Sequence, residues 1–295
     1  MTDIELIEKL LTAKKTSDIF NGDWKNTFKR YSKLIHPDVC KQPYADKAMA
    51  ILTEYKDIME KGIEYIDEAG VFRVFDDRIE YEVTDKNRSL IGKSVSNFNI
   101  LKNKRDKKSL GFHRYLPEDM VLEKNKLTIK LKDRAIPLTH KQLEQIHVNW
   151  VFSRMFEFVL WLRQIDYCHL GLNPTTVFIV PETHGIIVIS FYHMTQINKK
   201  AKTISAKYKM WYPTALFTKK RATPDVDLEL AKKIALYLLG DRSGGGTKLK
   251  MNKKDINQDV LNFLLTKHEN HFDEYQQYRD LLTKNFERKF YPLDL

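Results

Sequence analysis

The hydrophobic pattern of this chain changes its period twice, and these changes constrain the fold more than any other feature of the sequence. The first period is helical, with apolar residues at i, i+4, i+7 and i+11: Trp24, Phe28, Tyr31 and Ile35. Over residues 78–83 apolar and polar residues alternate, which is typical of a strand. In the second half of the chain the helical period returns. This order predicts an α+β protein in which a small sheet lies between two helical regions.

The same periods predict individual elements and three regions. The expected elements are helices at 3–20, 24–35 and 45–61, a hairpin with arms 71–75 and 78–83, a helix at 89–102, a strand at 127–131, a buried helix from 143 to about 167, a hairpin of 177–180 and 186–189, and helices at 227–239, 257–267 and 272–289. We expect a three-helix region at 1–66, a small mixed region at 67–142 and a mostly helical region at 143–295.

Composition excludes several classes of protein. The 295 residues are 42% hydrophobic and 12% aromatic, enough to build packed cores and too many for a disordered chain. Two cysteines exclude a disulfide framework and a cysteine-based zinc site, so we expect no metal and no cofactor. No apolar run approaches the length of a membrane span, and acidic residues near the N-terminus do not fit a secretory signal. We therefore expect a cytoplasmic protein without a membrane partner.

Positive charge is concentrated in one stretch of this basic chain. Lys and Arg number 50 against 39 Asp and Glu, a net charge of +11, yet residues 183–224 contain no acidic residue. The stretch carries eight cations: Lys199, Lys200, Lys202, Lys207, Lys209, Lys219, Lys220 and Arg221. We call these eight residues the basic segment. They fit either a solvated loop or a surface that binds an acidic partner, and the sequence leaves both interpretations open.

A tripeptide, His36-Pro37-Asp38, separates two of the predicted helices. The helix before it has a basic side made of Lys25, Lys29, Arg30 and Lys33. Proline fixes its own φ and makes the turn reproducible, which leaves His36 and Asp38 as polar groups on a rigid scaffold. Residues 1–65 resemble a J domain of the DnaJ family. The resemblance implies that the tripeptide and the four basic residues engage a DnaK-type chaperone and stimulate its ATPase.

This chain also departs from the DnaJ pattern. Its first helix lacks the Tyr-rich start of the family, and neither a Gly/Phe-rich linker nor a Cys-rich zinc module follows. We therefore do not expect client binding of the ordinary DnaJ kind.

A second motif occurs at residues 167–180, which read Tyr-Cys-His-Leu-Gly-Leu-Asn-Pro-Thr-Thr-Val-Phe-Ile-Val. His169, Leu172 and Pro174 match the catalytic loop of protein kinases, which this segment resembles. Asp227, or alternatively Asp225, then resembles the start of the long helix that anchors the kinase C-lobe. The resemblance covers about three quarters of the chain and implies a two-lobed kinase-like domain, with a small N-lobe at 67–142 and a mostly helical C-lobe at 143–295.

The residues that phosphoryl transfer requires are missing from this kinase-like pattern. Gly171 stands where the family has its catalytic Asp, and Asn173 where it has the loop Lys. Thr176 and Ser190 replace the two side chains that hold Mg²⁺. No glycine-rich loop precedes them, and we expect Asp76 and Asp77 to lie where phosphates would bind and to repel them. No Glu occurs between Glu82 and Glu118 to pair with a lysine. We therefore expect no catalytic residue and no enzyme activity, that is, a pseudokinase.

These motifs predict a co-chaperone or adaptor whose first module recruits a DnaK-type ATPase and whose second module binds an unknown client or partner protein. The first alternative is a protein that binds nucleic acid or phosphate through residues 183–224, where Tyr192, Tyr208, Trp211 and Tyr212 could stack on bases. A second cluster would assist it: Lys102, Lys104, Arg105, Lys107, Lys108 and Arg114. The second alternative is an atypical active kinase that uses other residues.

Overall fold

A computed structural model describes residues 1–20, 22–251, 256–269 and 271–293. It confirms the α+β class: the chain mixes helices with a five-stranded antiparallel sheet. The helices are α1 (Asp3–Thr12), α2 (Thr16–Ile19), α3 (Trp24–Ile35), α4 (Ala45–Lys61), α5 (Arg88–Lys102), α6 (Lys107–Leu110), α7 (Gln145–Gln164), α8 (Thr214–Lys219), α9 (Pro224–Leu238), α10 (Thr247–Met251), α11 (Gln258–Leu265) and α12 (Phe272–Asn285).

The strands are mostly short. They are β1 (Ile63–Asp67), β2 (Gly70–Val74), β3 (Arg78–Glu82), β4 (Asp119–Leu122), β5 (Lys126–Lys130), β6 (Ile136–Pro137), β7 (Tyr167–Cys168), β8 (Val177–Val180), β9 (Gly185–Val188) and β10 (Thr195–Gln196).

Helices α1 to α4 enclose a core of their own. It includes Leu6, Leu10, Ile35, Ala48 and Leu52, all essentially inaccessible to solvent. Our prediction of a single helix at 3–20 is wrong, because the helix is interrupted between Thr12 and Thr16. There the Asp18 carboxylate accepts hydrogen bonds from the backbone N–H groups of Lys14 and Lys15, at 3.0 and 3.1 Å, and starts a separate short helix.

The stripe that we expected on the helix now labelled α3 is only partly buried. Tyr31 and Ile35 are buried, whereas Trp24 and Phe28 are half-buried and pack against the edge of the same core. The N-terminal half of the helix therefore lies at the rim of this small unit rather than inside it.

The sheet has the strand order β1-β2-β3-β5-β4, with α5 inserted between β3 and β4. Strand β1 pairs with β2 from Ile63 opposite Val74 to Asp67 opposite Gly70. The boundary that we placed after residue 66 therefore falls inside a strand of the sheet. The helical unit ends at Lys61, and Gly62 follows with a φ of +65°, a conformation that favours glycine.

The sheet and the second helical region share one continuous core. In the helical region α7 packs along α9, and both helices are buried over most of their length. Fully buried aromatic residues, among them Phe72, Phe98, Phe178 and Phe191, join the two parts. The core of α1 to α4 is separate from this one, so the chain contains two hydrophobic cores in its described part. None of the described helices is both long and apolar enough to cross a membrane.

Candidate functional site

The tripeptide His36-Pro37-Asp38 lies in the connection between α3 and α4. The side chains of His36 and Asp38 are 49% and 87% exposed. Within the described residues, the polar atoms of these side chains contact only the other residue of the pair: the backbone N–H of Asp38 donates to Nδ1 of His36 at 3.3 Å, and that nitrogen is 3.4 Å from Oδ2 of Asp38. Two exposed polar groups held on a short turn between two helices are available to a partner.

The basic residues expected beside the tripeptide are all exposed on α3. Within the described residues, Lys25, Lys29, Arg30 and Lys33 form no ion pair. Lys25 lies over the ring of Trp24 and Arg30 over the ring of Tyr31, at 5.6 and 5.1 Å. An uncompensated positive helix face therefore adjoins His36 and Asp38, and it suits an acidic partner surface.

The segment that resembles a catalytic loop is buried throughout, from His169 to Thr176. The carboxylate of Asp227 at the start of α9 holds it by accepting hydrogen bonds from the backbone N–H groups of His169 and Leu170, at 2.6 and 2.7 Å. Asp227, rather than Asp225, is therefore the residue that connects the loop to the long helix. Burial raises the pKa of Asp227 to about 7, although the two N–H donors work in the opposite direction.

Polar groups within this loop bond to one another. The side chains of Asn173 and Thr176 both donate to the carbonyl of Gly171, each at 3.1 Å. The side-chain oxygen of Asn173 accepts from the N–H and the hydroxyl of Thr175, at 2.9 and 2.7 Å. These bonds engage Asn173 and Thr176 within the loop itself.

Ser190 and Phe191 contact His169 on one side, and Phe191 contacts Phe98 of α5 on the other. The Nε2 atom of His169 is 2.8 Å from the carbonyl oxygen of Ser190, and its ring lies 5.6 Å from that of Phe191. Phe191 in turn lies 6.2 Å from Phe98 on α5. Burial lowers the pKa of His169 to about 3, so its ring is neutral at physiological pH.

Helix α5 forms hydrogen bonds with both backbone polar groups of Phe191. The hydroxyl of Ser94 accepts from its N–H, and the side-chain amide of Asn97 donates to its carbonyl, both at 2.8 Å. The helix contains no Glu, as the sequence indicates, and it uses these two neutral side chains to connect the sheet to the helical region.

The turn between β1 and β2 closes over the loop and was missed by our sequence analysis. Its Glu68 carboxylate is 2.6 Å from Nε2 of His193, whose Nδ1 lies 2.9 Å from the Thr203 hydroxyl. A Cβ atom added to Gly171 would meet Cδ2 of His193 at 2.7 Å. The His193 ring therefore occupies the direction in which a side chain at position 171 would extend.

Charge and burial have opposite effects on the pKa of Glu68. Burial alone would raise the pKa of this carboxyl, but the hydrogen bond and charge of His193 outweigh it and hold the pKa below its ordinary value. The Glu68 side chain is thus an ionised, largely buried group that contacts a histidine.

Asp67, the residue before Glu68, is held in place by the hydroxyl groups of two tyrosines. The hydroxyls of Tyr81 and Tyr192 both donate to its Oδ2 atom at 2.9 Å. Burial raises the pKa of Asp67 to about 6, while the two phenol bonds oppose the shift. Two adjacent carboxylates thus connect this turn to Tyr192 and His193. Only the order Ser190-Phe191-Tyr192-His193, one residue beyond the end of β9, could have indicated that these side chains meet the loop.

Our placement of Asp76 and Asp77 at a phosphate position is wrong. They form the turn between β2 and β3, at the opposite end of the strands from Asp67 and Glu68. Asp76 faces the first helical unit, where its Oδ2 accepts from the backbone N–H and the hydroxyl of Thr16, at 2.7 and 2.5 Å. Asp76 thus connects the sheet to the first helical unit, and it does not lie near the loop at residues 169–176.

All eight residues of the basic segment are exposed. The aromatic side chains expected to stack on bases are largely unavailable, because Tyr192, Trp211 and Tyr212 are buried and Tyr208 packs against Trp211 at 4.7 Å. In the second basic cluster, Arg114 pairs with Glu157 at 2.9 Å and Lys102 donates to the carbonyl of Pro117.

No metal site is found among the described residues, since no three His, Cys, Asp or Glu side chains cluster suitably. The Thr176 hydroxyl forms its hydrogen bonds within the loop itself. The Ser190 hydroxyl is buried and has no hydrogen-bond partner in the described structure.

The chain was compared with protein families, curated proteins and solved structures. No protein-family model matches the chain, and no curated protein matches it. Among solved structures, the chain is similar to the crystal structure of a Toxoplasma gondii specific rhoptry antigen kinase domain. The similarity has a TM-score of 0.48 and 16% sequence identity, and it covers 75% of this chain and 78% of the other.

Proposed function

We propose that this protein is a co-chaperone or adaptor whose first module, residues 1–61, recruits a DnaK-type chaperone ATPase. The observation that carries the proposal is the exposed pair His36 and Asp38, held on a turn directly after a helix face with four uncompensated cations. The module has its own core and its own helices, so it presents the turn on a rigid support.

The test is stimulation of ATP hydrolysis by a DnaK-type ATPase in single-turnover assays. Asp38→Asn and His36→Gln should abolish stimulation while the helical circular dichroism stays unchanged. Asp46→Asn is the matched control, because it makes the same chemical change at an exposed position of α4. Equal stimulation by the unmodified protein and both variants would refute the proposal.

We further propose that residues 63–293 form a kinase-like domain that does not transfer phosphate and serves as the client- or partner-binding module. The strand order with an inserted α5, followed by the α7–α9 region, supports the kinase-like part. The surroundings of Gly171 support inactivity: Gly171 offers no carboxylate, His193 fills the space beside it, and Glu68 would repel a phosphate.

Incorporation of labelled phosphate from ATP and Mg²⁺ tests the second part. We expect none from the unmodified protein, either into itself or into a generic substrate. Incorporation that disappears in a Glu68→Gln or Ser190→Ala variant would contradict the proposal and favour an atypical active kinase. Incorporation that both variants retain would indicate a contaminating kinase.

A further inference from the structure

We propose that the basic segment is a docking surface for an acidic protein segment that carries an apolar side chain. This goes beyond the proposed function, because it assigns a place and a partner chemistry to the second module. It does not depend on whether the first module recruits an ATPase.

The segment holds its cations in a fixed arrangement rather than on a loose loop. Residues 198–201 and 220–222 run antiparallel and exchange backbone hydrogen bonds: Asn198 N–H to the Ala222 carbonyl at 2.8 Å, Ala222 N–H to the Lys199 carbonyl at 2.9 Å, and Ala201 N–H to the Lys220 carbonyl at 3.0 Å. This pairing places Lys200 directly opposite Arg221, with Lys199 and Lys220 next to them along the two paired segments. Four cations from two separate segments are thus held close together by backbone pairing.

The charge of this cluster is not neutralised within the described chain. None of the eight cations forms an ion pair there, and no acidic residue occurs from 183 to 224. The positive field extends to α5, because burial and the neighbouring charge of Lys202 lower the pKa of Lys93. A surface of this kind attracts an acidic partner over a distance of about 10 Å at ordinary salt.

An apolar patch lies among these charges. Met210, directly after Lys209, is 91% exposed, and the Lys209 ammonium lies 5.9 Å from the ring of Phe217, which is itself 38% exposed. Methionine is flexible and adapts to different apolar partners. Exposed apolar groups inside a charged patch fit a protein segment, which can offer both a carboxylate and an apolar side chain.

The same observations argue against single-stranded nucleic acid as the partner. Stacking on bases requires accessible rings, and Trp211 and Tyr212 are buried in the core. Duplex nucleic acid would use the cations but would make no use of Met210. The distinction between an acidic protein segment and duplex DNA can therefore be measured.

The experiment measures fluorescence anisotropy with three labelled probes and the full chain. The probes are a Glu-rich synthetic peptide with a central Leu, the same peptide with Ser in place of Leu, and a mixed-sequence DNA duplex. Reversing Lys199, Lys220 and Arg221 to Glu should weaken binding of the Leu peptide by at least about tenfold. Met210→Ser should weaken the Leu peptide by about threefold or more and leave the Ser peptide unchanged.

The matched control reverses Arg105, Lys107 and Lys108 to Glu. These residues are exposed near α6, and the change in net charge is the same. Equal loss of binding in the control would show that only net charge matters and would overturn the proposal. Tighter binding of the duplex than of the Leu peptide, with a salt slope near −0.9 per phosphate contacted, would overturn it in favour of nucleic acid. Absence of peptide binding at low salt would also refute it.

Discussion

Glu68 and His193 are separated by 125 positions in the chain, yet the Glu68 carboxylate lies 2.6 Å from Nε2 of His193. This contact closes the turn between β1 and β2 over the buried loop. It also fixes the histidine ring against Gly171, so one contact between two side chains determines which residue type the loop can tolerate at position 171.

We expect Gly171→Ala to destabilise the protein. The new methyl group would meet Cδ2 of His193 at 2.7 Å, and that ring is held on both nitrogens. Overpacking of this kind costs about 1–3 kcal/mol, measured as the free energy of unfolding in urea. Gly92→Ala is the matched control, since nothing lies within 4 Å of its added methyl group in the middle of α5. It should stabilise by about 0.5–1 kcal/mol, and a loss as large as that of Gly171→Ala would contradict the contact.

Glu68→Gln should lower the free energy of unfolding by about 1–3 kcal/mol at pH 7, because it removes a charged hydrogen bond to His193. The pKa of Glu68 lies below its ordinary 4.5 in the folded protein, so the stabilisation is present above that pH and is lost as pH falls through the folded value. Urea titrations at pH 7 and pH 4 should show the difference shrinking. Glu64→Gln, at an exposed pair with Arg73, should change stability by at most about 1 kcal/mol.

Asp67 should show the opposite pH dependence. Its pKa is raised to about 6 from 3.8, so its contribution to stability is complete below pH 3.8 and is lost as pH rises through 6. Asn at this position does not titrate. The stability of the unmodified protein relative to Asp67→Asn should therefore fall between pH 4 and 7, by at most about 1.4 kcal/mol per pH unit. Asp85→Asn, at a fully exposed carboxylate, is the matched control for the loss of one carboxyl group.

Thr16 and Asp76 should be energetically coupled across the two units. A double-mutant cycle with Thr16→Val and Asp76→Ala should give a coupling of about 0.5–3 kcal/mol, because the hydroxyl donates directly to the carboxylate. Asp77→Ala serves as the control partner, since its side chain is 75% exposed and pairs with Arg78. A coupling to Asp77 as large as that to Asp76 would mean that the contact is not specific.

The sequence predicted those elements whose apolar residues recur at one period along their length. Helix α4 matches its expected range, and α5 begins within a residue of it, because their apolar residues recur at the helical period. Strand β1 was missed because it is an edge strand: Ile63 and Ile66 are exposed, so no alternation marks it. Strand β4 buries Met120 alone, which is too little for a pattern.

The candidate site was predictable only where it is local in sequence. His36-Pro37-Asp38 can be recognised because three consecutive residues carry the feature. The loop that contains Gly171 and Thr176, and Ser190 after the next strand, can be located for the same reason. The contact between Glu68 and His193 depends on which turn of the sheet meets the helical region. Short-range periodicity does not encode that choice, which is why we placed Asp76 and Asp77 there instead.

The connection between α4 and β1 consists of Gly62 alone, and the bond between Thr16 and Asp76 ties the two units together a second time. A long flexible linker lets a tethered module search a volume around its anchor, and its reach grows with the number of linker residues. Here the reach is close to zero. In the function proposed above, a chaperone bound at His36 and Asp38 would have a fixed orientation relative to the sheet. It could therefore receive only a client held at the matching place and distance on the second unit.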